Sequence, residues 1–181
     1  VAIRLFPIWQ IPPYQILAHS KEVEAQRLQV LESLIKGERS VIIAPAEALL
    51  KRLVPVEEFS TAVLRLAVGD HVNLEGILRR LLTLGYERVD LVEERGQFGL
   101  RGGILDIYPM TAHRPVRLEF FDDELDSIRR FNASTQRSEE NITDVTVYPA
   151  RELIINQLLW ENARLAVEKE YREQAVKLGR L

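Results

Sequence analysis

Two neighbouring sets of residues have types and spacings that could carry chemistry. Asp123-Glu124-Leu125-Asp126 has the Asp-Glu-x-Asp form in which nucleotide-hydrolysing motors hold Mg²⁺ beside a phosphate. It lacks its complement. A phosphate site of that kind needs a glycine-rich loop ending in Gly-Lys-Ser/Thr, and no such run occurs in the sequence. The preceding strand carries Arg117 and Glu119 at alternate positions, whereas a strand leading to a nucleotide site is buried on both faces. The tetrad therefore reads as a solvated turn and a strand start, with no cofactor.

The second set is more telling. In Pro115-Val116-Arg117-Leu118-Glu119-Phe120-Phe121, strict alternation puts Val116, Leu118 and Phe120 on one face and Arg117, Glu119 and Phe121 on the other. A large aromatic among charges is the composition of a protein-binding surface, where Arg and aromatic side chains are the usual anchors. Arg101, beside the Gly102-Gly103 turn, is sent to the charged side of its own hairpin. Each residue also has a purely structural reading. Arg101 can pair with Asp106 or Glu119 across the sheet, a contact worth about 0.2–1 kcal/mol. Glu119 can neutralise Arg117, and another lobe of the chain can cover Phe121. His19, His71 and His113 are scattered without ligand spacing, and no nucleophile–base arrangement suggests itself.

Composition narrows the partners. The chain has 181 residues and a net charge of −3, so it lacks the basic footprint that displaces counterions from duplex DNA, and strong direct DNA binding is not expected. It has no cysteine, which excludes structural disulfides and suits a reducing cytoplasm. No apolar run is long enough for a membrane span, and no secretory leader is read at the N-terminus.

The elements that must position these residues can be traced by period. Ser20 caps a helix running to Lys36, with Leu28, Leu31, Leu34 and Ile35 on one stripe and Gly37 as its stop. Val41-Ile42-Ile43-Ala44 reads as a central parallel strand covered on both faces, followed by a helical stretch from Ala46 to Leu53. Too few strands precede Pro55 to complete a three-layer unit. Asn73 caps a helix carrying Leu74, Ile77, Leu78, Leu81 and Leu82, and Gly85 ends it. Residues 98–101 and 104–107 form a hairpin that sets Leu100 beside Leu105 and Phe98 beside Ile107. Strands over 116–121, 126–131 and 144–148 complete a small antiparallel sheet. Apolar residues after Ile154 (Leu158, Leu159, Ala163, Ala166, Val167) predict a terminal helix returning to the first lobe. The expected division is 1–60, 61–150 and 151–181.

Gly85-Tyr86-Glu87-Arg88-Val89-Asp90, Arg101 to Pro109, Arg117 to Glu124 and Ser127-Ile128-Arg129 together resemble the UvrB-homology module of nucleotide excision repair. UvrB and the transcription-repair coupling factor, Mfd, both carry it. Ala44 to Leu53, Phe6-Pro7-Ile8-Trp9 with Pro13-Tyr14, Thr135 to Ser138 and Pro149 to Glu152 resemble the coupling factor. Gln10 to Tyr14, Ala18-His19-Ser20 and Asn132-Ala133 depart from its common pattern. The resemblance implies α/β plus α+β architecture, with a partial, degenerate RecA-like lobe and an inserted antiparallel-sheet domain. It implies a non-catalytic adaptor that binds UvrA through Arg101, Arg117 and Phe121, and Glu119 on the same face joins the expected set. It also implies that the family protein's own C-terminal domain masks this surface. On this reading the three anchors project together into solvent, and Arg117→Glu or Phe121→Ala weakens UvrA binding without lowering the melting temperature. The rival reading is a fragment of a UvrB-type ATPase that handles damaged DNA.

Overall fold

The computed structural model describes residues 1–9, 20–50, 52–152 and 157–177. The expectations for 10–14, Ala18 and His19 fall outside those residues, as do Lys51 and the start of the terminal helix at Ile154. Mixed helices and sheets make up the fold. Strands β1 (Ala2–Leu5) and β2 (Ser40–Ile43) pair in parallel, Ala2 with Ser40 through Leu5 with Ile43, and helix α1 (Lys21–Ile35) connects them. The Ser20 hydroxyl accepts the Val23 N–H at 3.4 Å, which satisfies one of the donors left free at a helix start. Gly37, with φ +67°, takes the left-handed conformation that ends the helix.

One expectation for β2 is corrected. Ile42 is half-buried, but Val41 and Ile43 are exposed together with their partners Ile3 and Leu5. Among the described residues only one face of this small sheet is covered, by the packing of Phe6, Val30 and Ala48. The helix expected from Ala46 to Leu53 is also shorter: α2 covers Ala46–Leu49, and α3 (Val56–Thr61) starts after Pro55. Leu49 and Leu50 are exposed, so no apolar face rewards its extension.

β3 (Leu64–Ala67) pairs antiparallel with β10 (Asp144–Val147), and α4 (Leu74–Thr83) follows β3. The 144–148 strand was expected in the main sheet. It joins β3 instead, a strand that period reading missed. The main sheet, among the described residues, runs β4 (Glu87–Arg88), β5 (Gln97–Arg101), β6 (Ile104–Ile107), β7 (Val116–Phe121), β8 (Glu124–Phe131) and β9 (Ser138–Ile142) in spatial order. The predicted hairpin is present in register, with Phe98 opposite Ile107 and Leu100 opposite Leu105.

On the inner face of this sheet Leu100, Leu105, Leu118, Ile128 and Ile142 form one row across β5 to β9. They pack with Ile77, Leu81 and Leu84 around α4 and with Ala25 and Leu28 of α1, so a single core underlies the sheet. Burying that much apolar surface anchors the sheet through its inner face, so what the sheet can bind depends on how far its outer face is left open. α5 (Gln157–Lys177) closes the described chain and is largely exposed where its side chains are described. No helix among the described residues is long and apolar enough to cross a membrane.

Candidate protein-docking face

Two rows of side chains cross the outer face. Arg101, Ile104, Glu119 and Ser127 stand opposite one another on β5 to β8, and Gly99, Asp106, Arg117, Arg129 and Asn141 make the adjacent row across β5 to β9. Directly opposed residues share a face, so both rows look the same way.

Half of this face is covered. The segment between β4 and β5 crosses over Gly99, where an added methyl would stand 2.9 Å from the Val89 carbonyl oxygen and 3.4 Å from a Val92 methyl. Only glycine admits so close a backbone approach in mid-strand. Val92, on the strap itself, and Phe131, at the end of β8, are both fully buried. Gln136, with φ +59°, ties the strap down by donating from Nε2 to the Val92 carbonyl at 3.1 Å.

Arg117 belongs to the covered half. Its Nε and Nη2 donate to the two carboxylate oxygens of Asp106 at 2.8 and 2.9 Å, and its guanidinium carbon lies 4.7 Å from the centre of the Phe131 ring. Nη1 also reaches the Gln136 carbonyl at 3.4 Å. The Arg117 side chain is 18% exposed and that of Asp106 6%. The hydrogen-bonded Asp106 carboxylate holds the guanidinium even more firmly protonated than usual. The expectation that Arg117 projects freely into solvent is thereby corrected. Alternation assigned its face properly, but a carboxylate and a ring on that face claim the group.

The open half holds the other expected residues. Phe121, at the end of β7, is 79% exposed, and Ile104, on β6 opposite Glu119 two residues back along β7, is exposed as well. Arg101 is exposed and has no ion pair or side-chain hydrogen bond among the described residues. Its structural alternatives are not formed, because Asp106 serves Arg117 and Glu119 is engaged elsewhere. Glu119 Oε2 accepts from the Ser127 hydroxyl at 3.0 Å and lies 3.4 Å from Arg129 Nη2. Asp106 enters the sequence reading only as a possible partner of Arg101, and Phe131, Gln136 and Arg129 do not enter it as parts of this face. The available signals were a glycine in mid-strand at 99 and an aspartate in the apolar run Ile104 to Ile107.

The Asp-Glu-x-Asp tetrad is a turn and a strand start, as expected. Asp122, with φ +58°, and Asp123 join β7 to β8, and Asp126 is the extra residue of a bulge between the Glu119–Ser127 and Phe120–Leu125 pairs. His71 Nδ1 lies 3.2 Å from Asp123 Oδ1. No group of three His, Asp or Glu residues among the described residues could hold a metal ion. The Asn132-Ala133 departure also has a structural role, since the Asn132 side chain closes its turn by accepting the N–H groups of Ser134 and Thr135 at 3.0 and 3.1 Å.

Comparison with known proteins gives the same frame. Residues 64–153 match the UvrB interaction domain family. The transcription-repair-coupling factor of Bacillus subtilis (strain 168) is 41% identical over 168 residues, covering 93% of this chain and 14% of that protein. The protein of the same name from Staphylococcus aureus (strain MRSA252) is 34% identical over 178 residues, covering 92% and 15%. The chain thus spans about one-seventh of the length of these relatives. The aligned region takes in the sheet, its strap and its outer face, and on that ground the chain belongs to the transcription-repair-coupling factor family and carries a UvrB interaction domain.

Proposed function

We propose that this chain docks onto UvrA and so recruits nucleotide excision repair to stalled RNA polymerase, acting as a cytoplasmic adaptor with no catalytic step of its own. The observation that carries the proposal is the open half of the outer face: an unpaired Arg101 opposite an exposed Ile104, and a Phe121 standing 79% in solvent two residues along β7 from Glu119, on one sheet of a UvrB interaction domain. Phe121 fills an apolar pocket on the partner, since a ring of this size left in water gains most by being covered. Arg101 holds a partner carboxylate with its planar fork, an arrangement lysine cannot reproduce. Glu119 lies between them and sets which cations and carboxylates can approach. In the intact family protein the same face is masked by the C-terminal domain.

The parallel β1–α1–β2 unit, with one apolar sheet face exposed, supports reading residues 1–60 as part of a degenerate RecA-like lobe. On that reading, 61–150 is the inserted interaction domain and α5 returns to the first lobe. DNA translocation by the whole coupling factor belongs to modules elsewhere in its length. Calorimetric titration with UvrA tests the proposal: the chain binds, Phe121→Ala binds at least tenfold more weakly, and ATP with Mg²⁺ leaves the melting temperature unchanged. A chain that melts higher with nucleotide and ignores UvrA refutes it.

A further inference from the structure

Arg117 on β7 and Arg129 on β8 stand directly opposite each other on the outer face. Like charges in that relation disfavour the pairing, so each arginine needs an anion or another reason to be there. Arg117 has its anion in Asp106. Arg129 is far less provided for. Its only ion pair among the described residues is the 3.4 Å approach of Nη2 to Glu119 Oε2, an oxygen that already accepts from Ser127 at 3.0 Å. Its Nε is buried and donates to nothing, a costly condition for an N–H. Its side chain is nevertheless 40% exposed, against 18% for Arg117.

We infer that Arg129 is the second cation of the docking face, turning from Glu119 to hold a carboxylate on UvrA, while Arg117 stays on Asp106 as a positioning residue. This rests on the UvrA reading above and replaces Arg117 with Arg129 in the contact set. The relative cost of release decides between the two arginines. Drawing Arg117 outward strands a nearly sealed Asp106 carboxylate without its partner. Releasing Arg129 leaves Glu119 with the Ser127 hydroxyl and with water, and it gives the idle Nε an acceptor. A guanidinium presenting Nε and one Nη side-on can take both oxygens of a carboxylate. Arg101 on β5 and Arg129 on β8 then bracket Ile104 and Glu119 on the strands between them.

The test is a UvrA titration of four chains: unaltered, Phe121→Ala, Arg129→Glu and Arg130→Glu. Arg130 is the control for net charge, since alternation puts it on the other face of β8, opposite Val116, and it pairs with Glu140. Arg129→Glu is expected to bind about tenfold or more weakly and Arg130→Glu within about twofold of the unaltered chain, with melting curves checked in parallel. Should Arg129→Glu melt early, Arg129→Gln is read in its place, with a loss of about threefold or more expected. Arg129→Gln also flattens the fall of affinity with added salt, which removal of a merely structural group would leave steep. The paired substitution of Asp106→Leu with Arg117→Met keeps that salt dependence, as a positioning role requires. If Arg129→Glu binds like the unaltered chain while Phe121→Ala is weakened, the assignment of Arg129 is wrong and the docking face stands. If the unaltered chain does not bind, both fall.

Discussion

Removing the carboxylate of Asp106 should unfold this domain earlier than any single change on the open half of the same face. The pair consists of two charge-assisted hydrogen bonds, at 2.8 and 2.9 Å, with the aspartate almost sealed from water. Each such bond contributes about 1.5–3 kcal/mol net, and breaking a fully buried pair costs about 3–5 kcal/mol. Arg117 keeps 18% of its side-chain exposure, so water recovers part of that loss, and about 2–3 kcal/mol is the reasonable figure for Asp106→Ala. In a chain of this size 1 kcal/mol moves the midpoint by about 2–4 °C, so the melting temperature should fall by about 5–10 °C. Arg117→Ala should cost a similar amount, since it leaves the Asp106 carboxylate unpaired and uncovers Phe131. Urea unfolding of both single variants and the double variant gives the coupling directly, expected near 2 kcal/mol because the second change removes a group already stranded by the first. Arg117→Ala melting with the unaltered chain, and a coupling below about 0.5 kcal/mol, would refute the claim that this arginine is held by the fold.

Other expectations follow from the same geometry. Phe121→Ala should lower UvrA affinity by about 2 kcal/mol and leave the melting temperature within a degree or so, because an exposed ring contributes little to folding; an early melt would show that the ring is packed. Gly99→Ala should cost about 1–3 kcal/mol, since its methyl would meet the Val89 carbonyl at 2.9 Å and lift the strap, and an unchanged urea midpoint would contradict that contact. Glu24 on α1 gives a pH dependence. Burial raises its carboxyl from 4.5 to about 7, opposed by Arg151 and Lys21 and assisted by Glu152. The folded chain then holds a proton that the unfolded chain has released over that interval, so the stability contribution is full at low pH and is lost as pH rises towards about 7. Glu24→Gln should gain on the order of 1 kcal/mol over the unaltered chain near pH 8, after allowing for solvent screening of this partly exposed group, and nothing near pH 4. A difference that stays constant across that range would remove Glu24 as the cause.

The sequence made the inner face readable and left the outer face half-read. Ser20 and Asn73 stand at helix starts as their side chains require, and the Gly102-Gly103 hairpin pairs in the expected register. These are local matters, decided within a few residues by capping and turn geometry. Alternation also placed Arg117, Glu119 and Phe121 on one side. It does not reveal what else lies there. The partners of Arg117 come from the neighbouring strand, from Phe131 on β8 and from the turn at Gln136, and a sheet's cross-strand neighbours depend on register and on loops that a single strand does not encode. β9 escaped notice because Ser138-Glu139-Glu140-Asn141 carries no apolar alternation. It is a charged edge strand held by pairing with β8, and its composition protects the open edge. The double burial assigned to β2 failed for a similar reason, since an apolar run states what a strand can cover without saying what covers it.

The most direct test of the account is the affinity of UvrA for the unaltered chain and for Phe121→Ala, measured at low and at physiological salt. Binding that weakens as salt rises, and that drops at least tenfold at either salt when the ring is removed, is the expected result. An affinity indifferent both to salt and to Phe121 would mean that UvrA does not meet the chain on the open half of the sheet.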